Sequence, residues 1–285
     1  MTESWNGGGS YHRLFTRSPV NIHRMKRLLA VAAALLIASS AFAGLTYRIE
    51  SVTQGGQGTT FSGTVSVEGS RMRFDVSQGD GMLFKNGTVV LSSDGGKTMA
   101  VFDPSDHTYY DLQLDKIVNS TTSLLNSMGG MVKIDFKNPS VNVRDGGDGG
   151  TIEGYPTHKY ILEASYDIAI DAMGQKMTMH TVMSSQNWTT DQLSGEFTSF
   201  VQARGLRTGI EAVDRLIEAQ AAGMHGFPLK QETSVQVQGG ADVNVASASN
   251  VTHIERHTID AAQFTAPQGY NKVDDPITRM IRRVQ

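Results

Sequence analysis

Alternation of apolar and polar positions dominates the first third of the chain. Leu45 to Thr53 alternates weakly and predicts a first strand. Phe61, Gly63, Val65 and Val67 then face one way, while Ser62, Thr64, Ser66 and Glu68 face the other. A period of two marks a half-buried strand. Met72, Phe74 and Val76 repeat the pattern against Arg71, Arg73 and Asp75. Met82 to Lys85 forms a short run before Asn86-Gly87, a two-residue hairpin turn. Residues 88–112 add three more runs, broken at Asp94-Gly95-Gly96-Lys97 and at Asp103-Pro104-Ser105-Asp106. This hairpin is expected to be the element around which the rest is arranged. Short strands with tight turns predict an antiparallel meander and argue against βαβ units.

The period then changes. Leu114, Ile117, Val118, Thr121, Leu124, Leu125 and Met128 form one helical stripe over 114–128, stopped by Gly129-Gly130. Strands are expected at 131–136 and 141–143, with Asp145 to Gly150 as a flexible loop. In 155–184, Tyr160, Leu162, Ala164, Tyr166, Ile168 and Ile170 share one parity. After a turn at Met173-Gly174-Gln175, Met177, Met179, Thr181 and Met183 share one face of the return strand. Flexible thioethers in a row suit a surface that fits varied apolar shapes. Trp188 ends this hairpin. Thr190 or Asp191 caps a helix carrying Leu193, Phe197, Phe200 and Val201, and Ile210 to Ala221 predicts another, ending near Gly223. Strands follow at 230–237, 243–248 and 251–259, then a basic tail at 277–285.

The N-terminal region reads differently. Met25-Lys26-Arg27, the ten-residue apolar run from Leu28 to Ile37, and Ala41-Phe42-Ala43 before Gly44 have the order of a cleavable secretory signal. The domain reading is therefore 1–24 as an extension or mis-assigned start, 25–43 as signal peptide, 44–275 as the folded domain and 276–285 as the tail. Cleavage after Ala43 sends the chain to a periplasm or outside the cell. The apolar run is too short for a permanent membrane anchor. Cysteine is absent from the chain, so neither disulfides nor a lipid-accepting thiol is available. Residues 1–43 hold five basic side chains and one acid, so the mature chain is more acidic than the −3 of the whole. That balance argues against a nucleic-acid partner.

No convincing catalytic pattern emerges. Gly96-Lys97-Thr98 mimics the end of a phosphate loop, but it lies in a hairpin turn and Leu91 replaces the leading glycine. No Gly-x-Ser-x-Gly elbow occurs. His253 and His257 share a face of a strand, roughly 13 Å apart, too far to hold one ion. The acids of Asp145 to Gly150 lack a calcium-ligand spacing, and Asp274-Asp275 reads as solvated. No catalytic, metal or cofactor residue is therefore assigned, and the chain is read as a non-enzyme.

Several segments, taken in order, resemble the exported lipoprotein-carrier (Lol-type) superfamily and its uncharacterised exported members. They are Gly63-Thr64-Val65-Ser66-Val67, Arg71-Met72-Arg73-Phe74, the hairpin from Leu91 to Tyr110, and the stretch from Ile259 to Tyr270. The resemblance implies a mainly β, α+β fold: a curved antiparallel sheet, or half-open barrel, with about three amphipathic helices as a lid. It also implies that acyl chains or other amphiphiles are held in the apolar concavity. Two departures stand out. The mature chain enters directly into a strand instead of a helix. The carriers' latching arginine near the end of the second early strand is replaced by Val67-Glu68-Gly69-Ser70, with arginines only at Arg71 and Arg73.

The reading that follows is a non-enzymatic carrier for a lipid, acyl chain or other amphiphilic molecule. Phe74, Tyr166, Ile168, Met177, Met179 and Met183 are expected in the wall, and Leu124, Leu125, Phe197 and Phe200 in the lid. The alternatives are an envelope structural or interaction protein with a filled core and a protein partner, and then a hydrolase or metalloenzyme.

Overall fold

β1 (Gly44–Gln54) pairs along nearly its whole length with β2 (Thr59–Glu68) on one side and β11 (Val243–His257) on the other. It joins the two halves of one twelve-stranded sheet. The computed structural model describes residues 44–55, 58–79, 84–113, 132–172, 174–193, 211–239, 242–276, 278–279 and 282. Beyond β2 lie β3 (Arg71–Gln78), β4 (Val89–Ser92), β5 (Thr98–Asp103) and β6 (Thr108–Gln113). Beyond β11 lie β10 (Phe227–Gln238), β9 (Gln175–Thr190), β8 (Tyr155–Ala172) and β7 (Val132–Ile152). A short β12 (Asn271–Lys272) adds to β6 as a parallel pair, while every other pairing is antiparallel. The order is β12-β6-β5-β4-β3-β2-β1-β11-β10-β9-β8-β7, and the two ends do not pair to close a barrel.

This order corrects the expectation about 88–112. Those residues are β4, β5 and β6 at one end of the sheet, and the middle belongs to β1 and β2. The reason is long-range pairing. The first strand of the fold recruits one of the last, so an early local hairpin ends up peripheral.

Directly opposed residues share a face. Following the pairs Val101↔Tyr110, Val90↔Val101, Phe74↔Val90, Val65↔Phe74 and Tyr47↔Val65 traces a buried apolar face from β6 to β1. Ile49↔Val251, then Val235↔Val245 and Val235↔Met183, carry the same face on to β9. Ile170↔Met177, Ile168↔Met179 and Ala164↔Met183 bring the two apolar rows of the 155–184 hairpin onto it together, as their parity predicts.

One loop expectation fails. Asp145 to Gly150 lies inside β7, a single strand of 21 residues. Its aspartates turn back on their own backbone: Asp145 Oδ1 accepts from Gly147 N at 2.6 Å and Asp148 Oδ1 from Gly150 N at 2.8 Å. Positive φ at Gly147 and Gly150 absorbs the extra residues as bulges, so the ladder with β8 resumes. Likewise 243–248 and 251–259 are one strand as far as His257.

Of the three expected helices, the last is α1 (Glu211–Gly223). It packs on β7, where a methyl group at Gly223 would lie 2.6 Å from Val143 Cβ. Asp191–Leu193 forms a single 3₁₀ turn, η1. Residues 114–128 and 194–201, with Leu124, Leu125, Phe197 and Phe200, lie outside the described residues. In the basic tail Pro276, Thr278, Arg279 and Arg282 are helical.

After β11 the chain crosses the other, polar face as a strap. Asp260 accepts from Ala262 N at 2.9 Å and caps the 3₁₀ turn η2 (Ala261–Phe264). The Arg71 guanidinium lies 4.8 Å from the Phe264 ring centroid, and Arg73 donates to Gln263 O at 3.0 Å. Tyr270 meets Phe102 edge to face at 5.4 Å before β12 joins the edge.

Candidate functional site

A partly enclosed, mainly apolar space lies where β1, β11 and β10 run side by side. A register shift between Thr46 and Arg48 leaves Tyr47 opposite the extra residues of β11. A second shift, between Pro228 and Lys230, sets Leu229 off the ladder, and Leu229 is fully buried. At the second bulge the extra side chain, Leu229, is taken into the core. Tyr47, Ile49, Phe227, Leu229, Ser249 and Val251 line the resulting hollow of about 110 Å³. A second hollow of about 70 Å³ lies against Gln220, Ala221 and Met224 at the end of α1 and shares Pro228 and Gln231 with the first.

The electrostatics are those of an oily cleft with a polar border. Burial pushes the Tyr47 phenol well above its ordinary range, so it stays neutral. Among the described residues that line the first hollow, Lys230 alone carries a charge. Its ammonium is held on the other face, 2.7 Å from Glu232 and 4.5 Å from the Trp188 ring centroid. Beside the hollows sits a partly buried hydroxyl–amide hub. Ser185 Oγ lies 3.0 Å from Thr233 Oγ1, while Asn187 Nδ2 and Gln231 Nε2 donate to it at 3.1 and 3.3 Å. Apolar space meeting uncharged hydrogen-bonding groups suits a molecule with both an oily and a neutral polar part.

The sequence-derived wall residues occupy the same face but do not line either hollow. Phe74 is buried on β3, 5.3 Å from the Phe61 ring centroid. Tyr166 and Ile168 are half-buried, and Tyr166 lies 6.0 Å from the Phe136 ring centroid. Met179 and Met183 are half-buried, whereas Met177 is 41% exposed near the hairpin turn. Between Met179 and Met183, Thr181 is buried and, among the described residues, its hydroxyl has no hydrogen-bond partner. Sequence reasoning missed Tyr47, Ile49, Phe227, Leu229 and Val251. The expected strand began at 230, and the one signal available for 227–229 was an apolar run directly after Gly226.

A more open groove of about 370 Å³ lies on the polar face, between Val52, Gln54, Ser184, Gln186, Glu232 and Ala246. Its lining mixes small polar side chains with Val52, Ala246 and Ala248. His257 Nε2 lies 3.1 Å from Thr46 Oγ1 and His253 Nδ1 lies 3.1 Å from Thr252 Oγ1, whereas His158 and His180 each lie 2.7 Å from a carboxylate, of Asp145 and Asp167. Among the described residues no three His, Asp or Glu side chains converge as a metal site. Among them, too, no helix is long and apolar enough to cross a membrane.

No family model matches the sequence, and no curated protein matches it. Similar solved structures include an uncharacterised conserved protein from Thermus thermophilus, 10% identical, spanning 86% of this chain and 99% of that one with a TM-score of 0.35. A LolA superfamily protein from Nitrosomonas europaea is 9% identical over 82% of this chain and 97% of its own, with a TM-score of 0.31. A DUF1329 family protein from Desulfovibrio piger is 10% identical over 85% and 96%, with a TM-score of 0.29. Likeness at this level says nothing about what the chain binds.

Proposed function

We propose that the chain is an exported, non-enzymatic binding or carrier protein for a lipid, acyl chain or comparable amphiphile. The observation that carries this reading is the bulge-lined apolar hollow on β1, β11 and β10, bordered by the Ser185 hub. In this reading the oily part of the ligand lies over Tyr47, Phe227, Leu229 and Val251. The row of Tyr166, Ile168, Met177, Met179 and Met183 extends the wall towards the open end, and Phe74 closes the opposite side. Stripes carrying Leu124, Leu125, Phe197 and Phe200 complete the cover. Export rests on the segment at 25–43.

One observation favours a second reading. The hollows are smaller than the several hundred Å³ of typical ligand sites, as a filled-core envelope protein would have them. The two readings separate on one measurement. Protein purified without detergent is examined by native mass spectrometry and titrated with the fluorescent apolar probe N-phenyl-1-naphthylamine. A carrier shows a co-purified lipid mass and saturable probe fluorescence, both weakened by Met179→Asp. A clean protein mass with no saturable fluorescence supports the filled core.

A further inference from the structure

Glu153 and Gly154 form the turn of the β7–β8 hairpin, with φ of 50° and 80° between the paired residues Ile152 and Tyr155. Two left-handed residues in succession make a tight hairpin turn that matches strand twist. The tip overhangs the sheet. The β8–β9 ladder begins at His158↔Thr189, so Tyr155, Pro156 and Thr157 pair only with β7. At its base lie the bulges at Asp145, Asp148 and Gly150, where added methyl groups on Gly147 and Gly150 would meet nothing within 4 Å. The base is thus bulged and open on the side of Gly147 and Gly150, while methyl groups on Gly146 and Gly149 would meet Lys159, Thr157 and Trp188 on the other.

The tip nevertheless reaches past β9 and β10 to β11. His253 N donates to Glu153 Oε2 at 2.9 Å. The irregularity in β11 lifts His253, at φ 53°, off the β1 ladder and frees that N–H for the carboxylate. Among the described residues this is the one hydrogen bond between the tip and β11. Ile152, Tyr155 and Ile254 pack against the apolar cluster that also supplies Tyr47, Phe227 and Val251 to the hollow.

We propose that the β7–β8 tip is a gate at this end of the hollow, hinged at the Asp145–Gly150 bulges and latched by Glu153 on His253 N–H. Lifting the tip breaks the Glu153–His253 hydrogen bond and the packing of Ile152, Tyr155 and buried Thr157, while the β8–β9 ladder stays intact. It exposes the Ile152, Tyr155 and Ile254 side of the cluster to an entering chain. The proposal rests on the carrier reading given above.

The natural absence of cysteine makes a clean test possible. A Glu153→Cys, His253→Cys double variant is joined by a short bis-maleimide, and uptake of N-phenyl-1-naphthylamine is followed by stopped flow. The unlinked variant, lacking the latch, takes up probe at least threefold faster than the parent. The linked form is at least tenfold slower than the unlinked one. Equal rates in linked and unlinked forms, or failure of the two thiols to link, overturn the gate while parent binding stands. Absence of saturable binding by the parent overturns the carrier reading and the gate with it. Independently, Glu153→Ala raises amide hydrogen exchange in 150–157 but not in the β9–β10 ladder; unchanged exchange at the tip overturns the gate.

Discussion

Tyr47 and Phe227 meet edge to face, ring centroids 5.3 Å apart at an interplanar angle of 78°, although β11 runs between their strands. The β10–β11 ladder begins at Lys230↔Asn250, so Phe227 lies outside it and its ring reaches across towards β1. That contact roofs β11 at one end of the hollow. Phe227 is 1% exposed, so Phe227→Ala removes a buried ring and leaves a void. A loss of about 3–5 kcal/mol is expected, read as a lower denaturant midpoint with an unchanged slope.

Filling the hollow separates binding from stability. Ser249 lines it and is only half-buried, so Ser249→Phe points extra volume into space already present. Probe affinity is expected to fall at least tenfold. Thermal stability is expected to stay within about 1 kcal/mol of the parent. Retained affinity would place the ligand elsewhere.

Gly63 sits where a side chain has no room. A methyl group there would lie 2.4 Å from Asp75 O and 2.5 Å from Phe74 Cε2. Gly63→Ala is expected to destabilise by about 1–3 kcal/mol through overpacking. At Gly95, where a methyl would meet nothing within 4 Å, the penalty comes from its φ of 73° alone and is expected to be smaller. Urea titration of both variants ranks them.

The carboxylate of Asp103 gives the fold an acid sensitivity. Burial pushes its pKa up, but hydrogen bonds from Lys85 and Ser105 outweigh that and hold it below the usual range. A depressed folded pKa stabilises fully above the unfolded value of about 4, and that contribution is lost as pH falls through the folded value. Lys85 is more than half exposed, which limits the pair to about 1 kcal/mol. Asp103→Asn is therefore expected to be less stable than the parent near neutrality, with the difference shrinking below about pH 4. A difference that grows on acidification would contradict this.

Arg73 ties the strap to the sheet. Its guanidinium takes Asp75 at 2.6 and 2.7 Å and also donates to Gln263 O. Arg73→Ala is expected to speed limited proteolysis within 265–270 severalfold. Global stability should shift by about 1 kcal/mol or less, because the contact is near the surface. An unchanged cleavage pattern would mean that Ile259 and Tyr270 hold the strap without it.

Local periodicity carried much of this architecture. Alternation in 61–68 and 71–76 corresponds to β2 and β3, and Ile168 opposite Met179 follows from their parity and the Gly174 turn. The helix read from Ile210 to Ala221 is α1. These features depend on neighbours in sequence, where side-chain period and turn chemistry act directly. The hollow was not legible, because its residues come from β1, β10 and β11, and two of its bulges exist only as mismatches between paired strands. A bulge is a property of two chain segments in register, and nothing in either segment alone specifies it. The same holds for Asp145 to Gly150, whose glycines look like a loop until β8 pairs across them. Residue order thus dictated which segments are strands and which faces are oily. Folding decided which strands meet, and hence that Tyr47 finds Phe227, because pairing between distant strands is settled by the burial and hydrogen bonding of the whole sheet at once.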